Sequence, residues 1–235
     1  NHGSNVLGTV QNIEAIGNLA KSLGIFLIVD AAQTIGYIDI DVKKMNIDLL
    51  AFPGHKSLFG LQGTGGLYIS DNIDIPSLKE GGTGSNSDSF IQPNFLPDKF
   101  ESGTLNTPGI IGLNEGVKFI LSNGLSNIRH HETELMVYLT NELQSLSFVK
   151  LYGETNPLLK TPVLSFNIDN RDSSEVGQYL NSLNIYVRTS YHCAPLIHKI
   201  IGTEGIGTVR VSPGYFNNFN DIESFIVAIR NLYNK

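Results

Sequence analysis

The sequence contains a single cysteine, Cys193, so no internal disulfide framework can form. A thiol without a partner points to a reducing compartment, expected to be the cytoplasm. No apolar run approaches the roughly 20 residues of a membrane span. Charged residues make up only 16% of the chain, with 16 Lys and Arg against 22 Asp and Glu. That balance of −6 lacks the basic excess of a general nucleic-acid footprint. The opening Asn1-His2-Gly3-Ser4-Asn5 has no basic leader region and no Met, so it reads neither as a secretory signal nor as a natural start. Gly63-Thr64-Gly65-Gly66 is not followed by a GKS/T, which excludes a P-loop. His192, Cys193 and His198 have no second cysteine or zinc-type pair beside them, so no metal is expected. There are no internal repeats.

At 235 residues, folding should leave about 10,000 Å² of the chain's roughly 37,000 Å² unfolded surface exposed, enough burial for a real core. Asn12 can cap a helix whose Ile13, Ile16, Leu19, Ala20 and Leu23 share a face. Phe26–Val29 reads as a buried parallel strand ending at Asp30. A short helix over Val42–Met45 is expected next, then strands Leu49–Phe52 and Gly65–Ile69. Residues 81–89, GGTGSNSDS, read as a loop. Helices are predicted over Pro108–Leu121 and Ser126–Leu146. Strands Val149–Tyr152 and Val163–Asn167, helix Ser173–Leu183, strand Ile185–Arg188, a loop, strand Thr208–Val211 and a helix from Asp221 to Tyr233 follow. The alternation predicts an α/β class. A domain boundary is placed near Gly124, giving domains 1–123 and 124–235, the second a small α+β unit.

Asp30 stands at the carboxyl end of a predicted strand, where ligands collect in open α/β sheets, although a turn residue would look the same. Lys56 follows Pro53-Gly54-His55 after the next strand and reads either as an exposed loop lysine or as a Schiff-base former. Together, a carboxylate and a lysine at two strand ends suit pyridoxal 5′-phosphate (PLP), which takes the first on its ring nitrogen and the second on its aldehyde. Cys193 lies in a polar loop near Arg188, His192 and His198, surroundings that favour a thiolate; a buried, inert cysteine is the alternative. Arg210 is a charge inside the apolar strand Val209-Arg210-Val211 and needs a carboxylate from protein or substrate. His130 and His131 sit on a predicted helix as surface residues.

Five motifs occur in order: Asn5-Val6-Leu7-Gly8-Thr9, Val29-Asp30-Ala31-Ala32-Gln33, Gly54-His55-Lys56, Glu101-Ser102-Gly103-Thr104-Leu105-Asn106-Thr107 and Val187-Arg188-Thr189-Ser190-Tyr191-His192-Cys193-Ala194. The series resembles the class V aminotransferase superfamily, and within it the cysteine desulfurases of the selenocysteine-lyase-like group. The resemblance implies the large domain of a fold type I PLP-dependent transferase, with a mostly parallel sheet, followed by a small C-terminal domain. It implies that Lys56 carries PLP and shuttles protons, that Asp30 pairs with the ring nitrogen and that Gln33 binds the phenolic oxygen. Asn5 is implied near that oxygen and the substrate carboxylate. His55 is implied at the phosphate, and Thr104 at the phosphate of a partner in a homodimer. Arg210, helped by Arg188, would clamp the substrate carboxylate. Cys193 would take sulfur from L-cysteine as a persulfide, leave L-alanine and pass the sulfur to an acceptor protein.

Pro53 departs from the Ser or Thr expected there, which removes one phosphate contact. The phosphate-cradling helix and ring-stacking histidine implied upstream are not in the chain, so it is expected to be the C-terminal portion of a longer enzyme. A selenocysteine lyase, another class V enzyme or a non-catalytic module of the same fold fits the same residues. Cys193 favours sulfur chemistry, because plain transamination has no use for a thiol.

Overall fold

The computed structural model describes residues 1–233, which divide into two compact units. One comprises Asn1–Ile13, Ala31–Ile40 and Ile120–Lys235; the other comprises Glu14–Asp30 and Asp41–Phe119.

The second unit is built on three strands, β1 (Ile28–Asp30), β2 (Leu49–Pro53) and β3 (Gly65–Ile69). β1 runs parallel to β2, with Asp30 in register with Ala51, and β3 pairs antiparallel to β2. The sheet is therefore mixed. β1 is shorter than Phe26–Val29 predicts because the backbone at Leu27 is engaged by Asp48: Leu27 N–H donates to the Asp48 carboxylate at 2.7 Å, and Asp48 N–H returns a bond to Leu27 O at 3.0 Å. Only Val29 is buried in this strand, while Phe26 and Ile28 are 69% and 68% exposed. The expected helix over Val42–Met45 is a turn. Asp41 accepts from the N–H groups of Lys43 and Lys44, and Asn46 closes the turn at φ 49°.

α1 (Ile13–Ser22) forms where its cap predicts, but its apolar stripe divides. A Cβ on Gly17 would lie 1.9 Å from Met45 O, so this close backbone approach requires glycine and selects the Gly17–Ala20 face as the inner one. Ile16, Leu19 and Leu23 then point outward.

α2 (Thr107–Asn123) and α3 (Leu125–Gln144) are separated by Gly124 at φ 82°. The first unit holds α3, the antiparallel sheet of β4 (Val149–Tyr152), β5 (Leu164–Ile168) and β6 (Val209–Val211), and α4 (Ser173–Ser182). It also holds α5 (Pro195–Ile200) and α6 (Phe219–Tyr233). Its core joins Leu135 and Leu139 of α3, Phe166 of β5, Leu180 of α4 and Phe225 and Ile229 of α6.

Two expectations fail in this unit. Ile185–Arg188 is not a strand: only Arg188 bridges to Arg210, because Ile185 N–H still bonds Leu180 O at the end of α4 and a left-handed turn begins at Ser190. Pro195–Ile200 is helical rather than loop, with Pro195 in the first turn, where its missing N–H costs nothing. No helix among the described residues is long and apolar enough to cross a membrane.

Candidate active site

In the first unit, residues far apart in sequence are bonded to one another. Arg188 and Arg210 face each other across a backbone bridge, with N–H···O distances of 3.1 and 2.7 Å. Arg210 Nη1 donates to Asn5 O at 2.9 Å, and Asn5 Nδ2 donates to His192 O at 2.6 Å. Arg188 Nη2 donates to Cys193 Sγ at 2.8 Å. Neither arginine has an ion-pair partner among the described residues, and Arg210 Nε is buried without a hydrogen bond. Burial and the neighbouring Arg188 charge pull the Arg210 pKa down. A bound carboxylate would relieve both pressures.

Cys193 is exposed on a turn that is costly to make. Ser190, His192 and Cys193 have φ of 77°, 51° and 62°. Each such L-residue costs about 1–2 kcal/mol in the left-handed region, so surrounding contacts must hold the turn. Gly207 makes room for it, since a Cβ there would lie 2.6 Å from Ser190 Cα. Thr208 N–H then donates to Ser190 O at 3.1 Å. The buried His192 ring meets Thr208 Oγ1 through Nε2 at 2.8 Å. Burial, with the charges of Arg210, His198 and Arg188, pushes the His192 imidazole down to about 4, so it is neutral at neutral pH. Below the turn, His198 Nδ1 and Thr203 Oγ1 are 2.7 Å apart, and the His198 ring packs edge-on to Tyr191.

Gln33 also belongs to this unit, in the half-buried turn after Ala31. A Cβ on Gly3 would lie 3.3 Å from Gln33 Cβ, so the N-terminal segment packs directly against that turn.

The second unit carries Asp30, His55, Lys56 and Thr104, all exposed. Asp30 ends β1, and Lys56 lies just beyond the end of its parallel partner β2, so both sit at one sheet edge. The Lys56 loop is a closed turn: Gly60 N–H bonds Gly54 O and Phe59 N–H bonds Lys56 O. A carboxylate and a primary amine at the ends of adjacent strands match the donor set that PLP requires, one for the ring nitrogen and one for the aldehyde. Pro53 supplies no hydroxyl there.

Other features stand apart from these clusters. His130 is exposed, whereas His131 is half-buried and bonds Asn217 O at 2.8 Å. No group of three or more metal-ligating side chains occurs among the described residues. Two buried titratable groups, Glu132 and Lys160, escape motif reading. Glu132 does leave a trace, being the acidic residue within the apolar stripe Ile128, Leu135, Met136 and Leu139 of α3. Lys160, 1% exposed, donates to Glu154 O at 2.6 Å and is pushed down to about 8 by burial.

The aminotransferase class-V family matches residues 1–225. The chain belongs to that family. A probable cysteine desulfurase of Methanothermobacter thermautotrophicus is 37% identical over 229 residues, covering 94% of this chain and 56% of that protein. One from Pyrococcus abyssi is 35% identical over 238 residues, covering 98% and 58%. Among solved structures, the apo cysteine desulfurase of Thermococcus onnurineus NA1 superposes with a TM-score of 0.87 at 34% identity, over 98% of this chain and 58% of that one. The expected α/β fold, that of the fold type I PLP-dependent transferases, is thus the family's fold. The chain spans a little over half the length of the relatives it matches.

Proposed function

We propose that the protein is a PLP-dependent cysteine desulfurase that converts L-cysteine to L-alanine and holds the released sulfur as a persulfide on Cys193. The observation that carries this reading is the linked set of Asn5, Arg188, Cys193 and Arg210. It places an exposed thiol beside two guanidinium groups that lack a carboxylate partner. The named relatives support the same activity.

PLP, when bound, supplies the electron sink for bond breaking at the substrate α-carbon. Lys56 is the residue that would hold it and move protons, Asp30 would hold a proton on the ring nitrogen, and Gln33 and Asn5 would orient the phenolic oxygen. His55 would bind the phosphate, and Thr104 the phosphate of the partner in a homodimer. The exposed Phe90, Ile91 and Leu96 in the segment before Thr104 suit such a pairing. Arg210 binds the substrate carboxylate. Arg188 either shares that task or, as its contact with Sγ favours, steadies the anionic sulfur. Cys193 Sγ attacks the substrate sulfur, so that an S–S bond forms and the substrate Cβ–S bond breaks. The electron pair of that bond remains on carbon, which takes up a proton and leaves as alanine. An acceptor protein then removes the terminal sulfur from Cys193. Residues 1–123 would serve as cofactor domain and 124–235 as small domain, in a cytoplasmic enzyme.

The test is a sulfide and alanine assay with L-cysteine, run alongside mass spectrometry of Cys193. Alanine with an adduct of about +32 Da at Cys193 that dithiothreitol removes is expected, since a thiol reductant takes off a persulfide sulfur and leaves a sulfinic acid in place. Alanine formation without an adduct on native protein, and undiminished in Cys193→Ser, would remove the sulfur-carrier role.

A further inference from the structure

His192 and Cys193 are neighbours that point in opposite senses. The imidazole is 2% exposed and the thiol is on the surface. Whatever fixes the imidazole therefore fixes the peptide that carries the sulfur. The ring meets Thr208 Oγ1 through Nε2 at 2.8 Å, and its buried Nδ1 has no hydrogen-bond partner among the described residues. Thr208 is fully buried and is bound to the turn a second time through its N–H on Ser190 O. It also leads into β6, two positions before Arg210.

We propose that Thr208 and His192 form a latch that positions Cys193. The latch holds the left-handed Ser190–Cys193 turn so that the thiol meets Arg188, and it sets that thiol in register with the carboxylate anchor on the same strand. This inference rests on the reading of Cys193 as the sulfur carrier and deepens it. Thr208 and His192 are positioning residues, since neither is placed on the reacting atoms.

The test uses the fact that Cys193 is the chain's only thiol, so alkylation reports on it alone. Thr208→Val removes the hydroxyl at nearly constant volume, and Thr208→Ser restores it. Losing one neutral hydrogen bond that orients the turn should slow iodoacetamide labelling at pH 7 by about fivefold in Thr208→Val, because the thiol leaves its Arg188 contact. Thr208→Ser should recover the native rate. A purely structural role predicts the opposite, since a loosened loop labels at the native rate or faster. His192→Phe, which fills the same space without the bond, must reproduce the slowing. In the desulfurase assay, kcat should fall by about tenfold with KM unchanged, because the anchor on Arg210 is intact.

Native labelling and native kcat in Thr208→Val would overturn the latch while leaving the sulfur-carrier reading in place. Full activity in Cys193→Ser would overturn that reading instead, whatever the labelling shows.

Discussion

In the first unit side-chain hydrogen bonds join candidate residues from distant segments, whereas in the second backbone pairing of strands aligns them. Asn5 and Arg210 are separated by 205 positions and joined by a hydrogen bond, and Asn5 also reaches across 187 positions to His192. This happens above a continuous core of α3, α4, α6 and β5. In the second unit, Asp30 and Lys56 owe their common edge to the parallel pairing of β1 and β2, and both are exposed. Phe26 and Ile28 beside that edge remain exposed. The comparison shows two ways of building reactive geometry. A parallel strand pair sets two groups side by side through the backbone, while a side-chain network over a packed core joins groups from distant segments.

Substitution at each reactive residue separates the two regions most sharply. Lys56→Ala should abolish the visible absorbance that borohydride removes from the PLP-loaded protein and lower desulfurase turnover by at least about a hundredfold. Cys193→Ser should abolish the persulfide yet keep that absorbance. If Cys193→Ser also lost the absorbance, the two regions would not divide the labour as described.

The next effect concerns stability. Phe166 is fully buried and packs edge-on against Phe225, with ring centroids 5.9 Å apart. Phe166→Ala should cost about 3–5 kcal/mol. Phe26→Ala removes a ring of the same size from a 69% exposed position and should cost no more than about 0.5 kcal/mol. Urea midpoints followed by circular dichroism check the pair, and equal losses would mean that Phe26 is covered in solution.

Legibility in the sequence follows the same division. Asp30 and Lys56 could be found because a strand end and a motif are local patterns. Cys193 and Arg210 could be singled out as anomalies, one a thiol among loop residues and the other a charge within an apolar strand. Their link through Asn5 could not, because a hydrogen bond between distant segments leaves no periodicity behind. The fold errors have equally physical origins. The stripe of α1 was split by Gly17, whose missing side chain admits the backbone of Met45. The strand expected at Ile185–Arg188 was pre-empted at one end by α4 and at the other by the turn that carries Cys193. Thr208 gives no sign in sequence that its hydroxyl matters.

The smallest effect, and the one that probes the packed unit from inside, concerns Glu132. This carboxyl is 6% exposed on α3, and burial pushes it up to about 7 despite an N–H bond from Tyr215. Between about pH 4.5 and 7 the unfolded chain has released this proton and the folded chain retains it. The folded state then binds more protons, so unfolding free energy falls as pH rises. Glu132's contribution is complete below about 4.5 and lost once pH passes about 7, a swing of about 3 kcal/mol. His192 works in the opposite sense: with its folded value near 4, its contribution is present above about 6.5 and lost as pH falls. It titrates identically in native protein and in Glu132→Gln, so it cancels from their difference. Glutamine still accepts the Tyr215 N–H but has no proton to lose. The stability gained by Glu132→Gln over native protein should therefore grow from pH 5 to pH 8 by about 3 kcal/mol or less. A gain of equal size at both pH values would show that Glu132 ionises in the folded unit as it does in water.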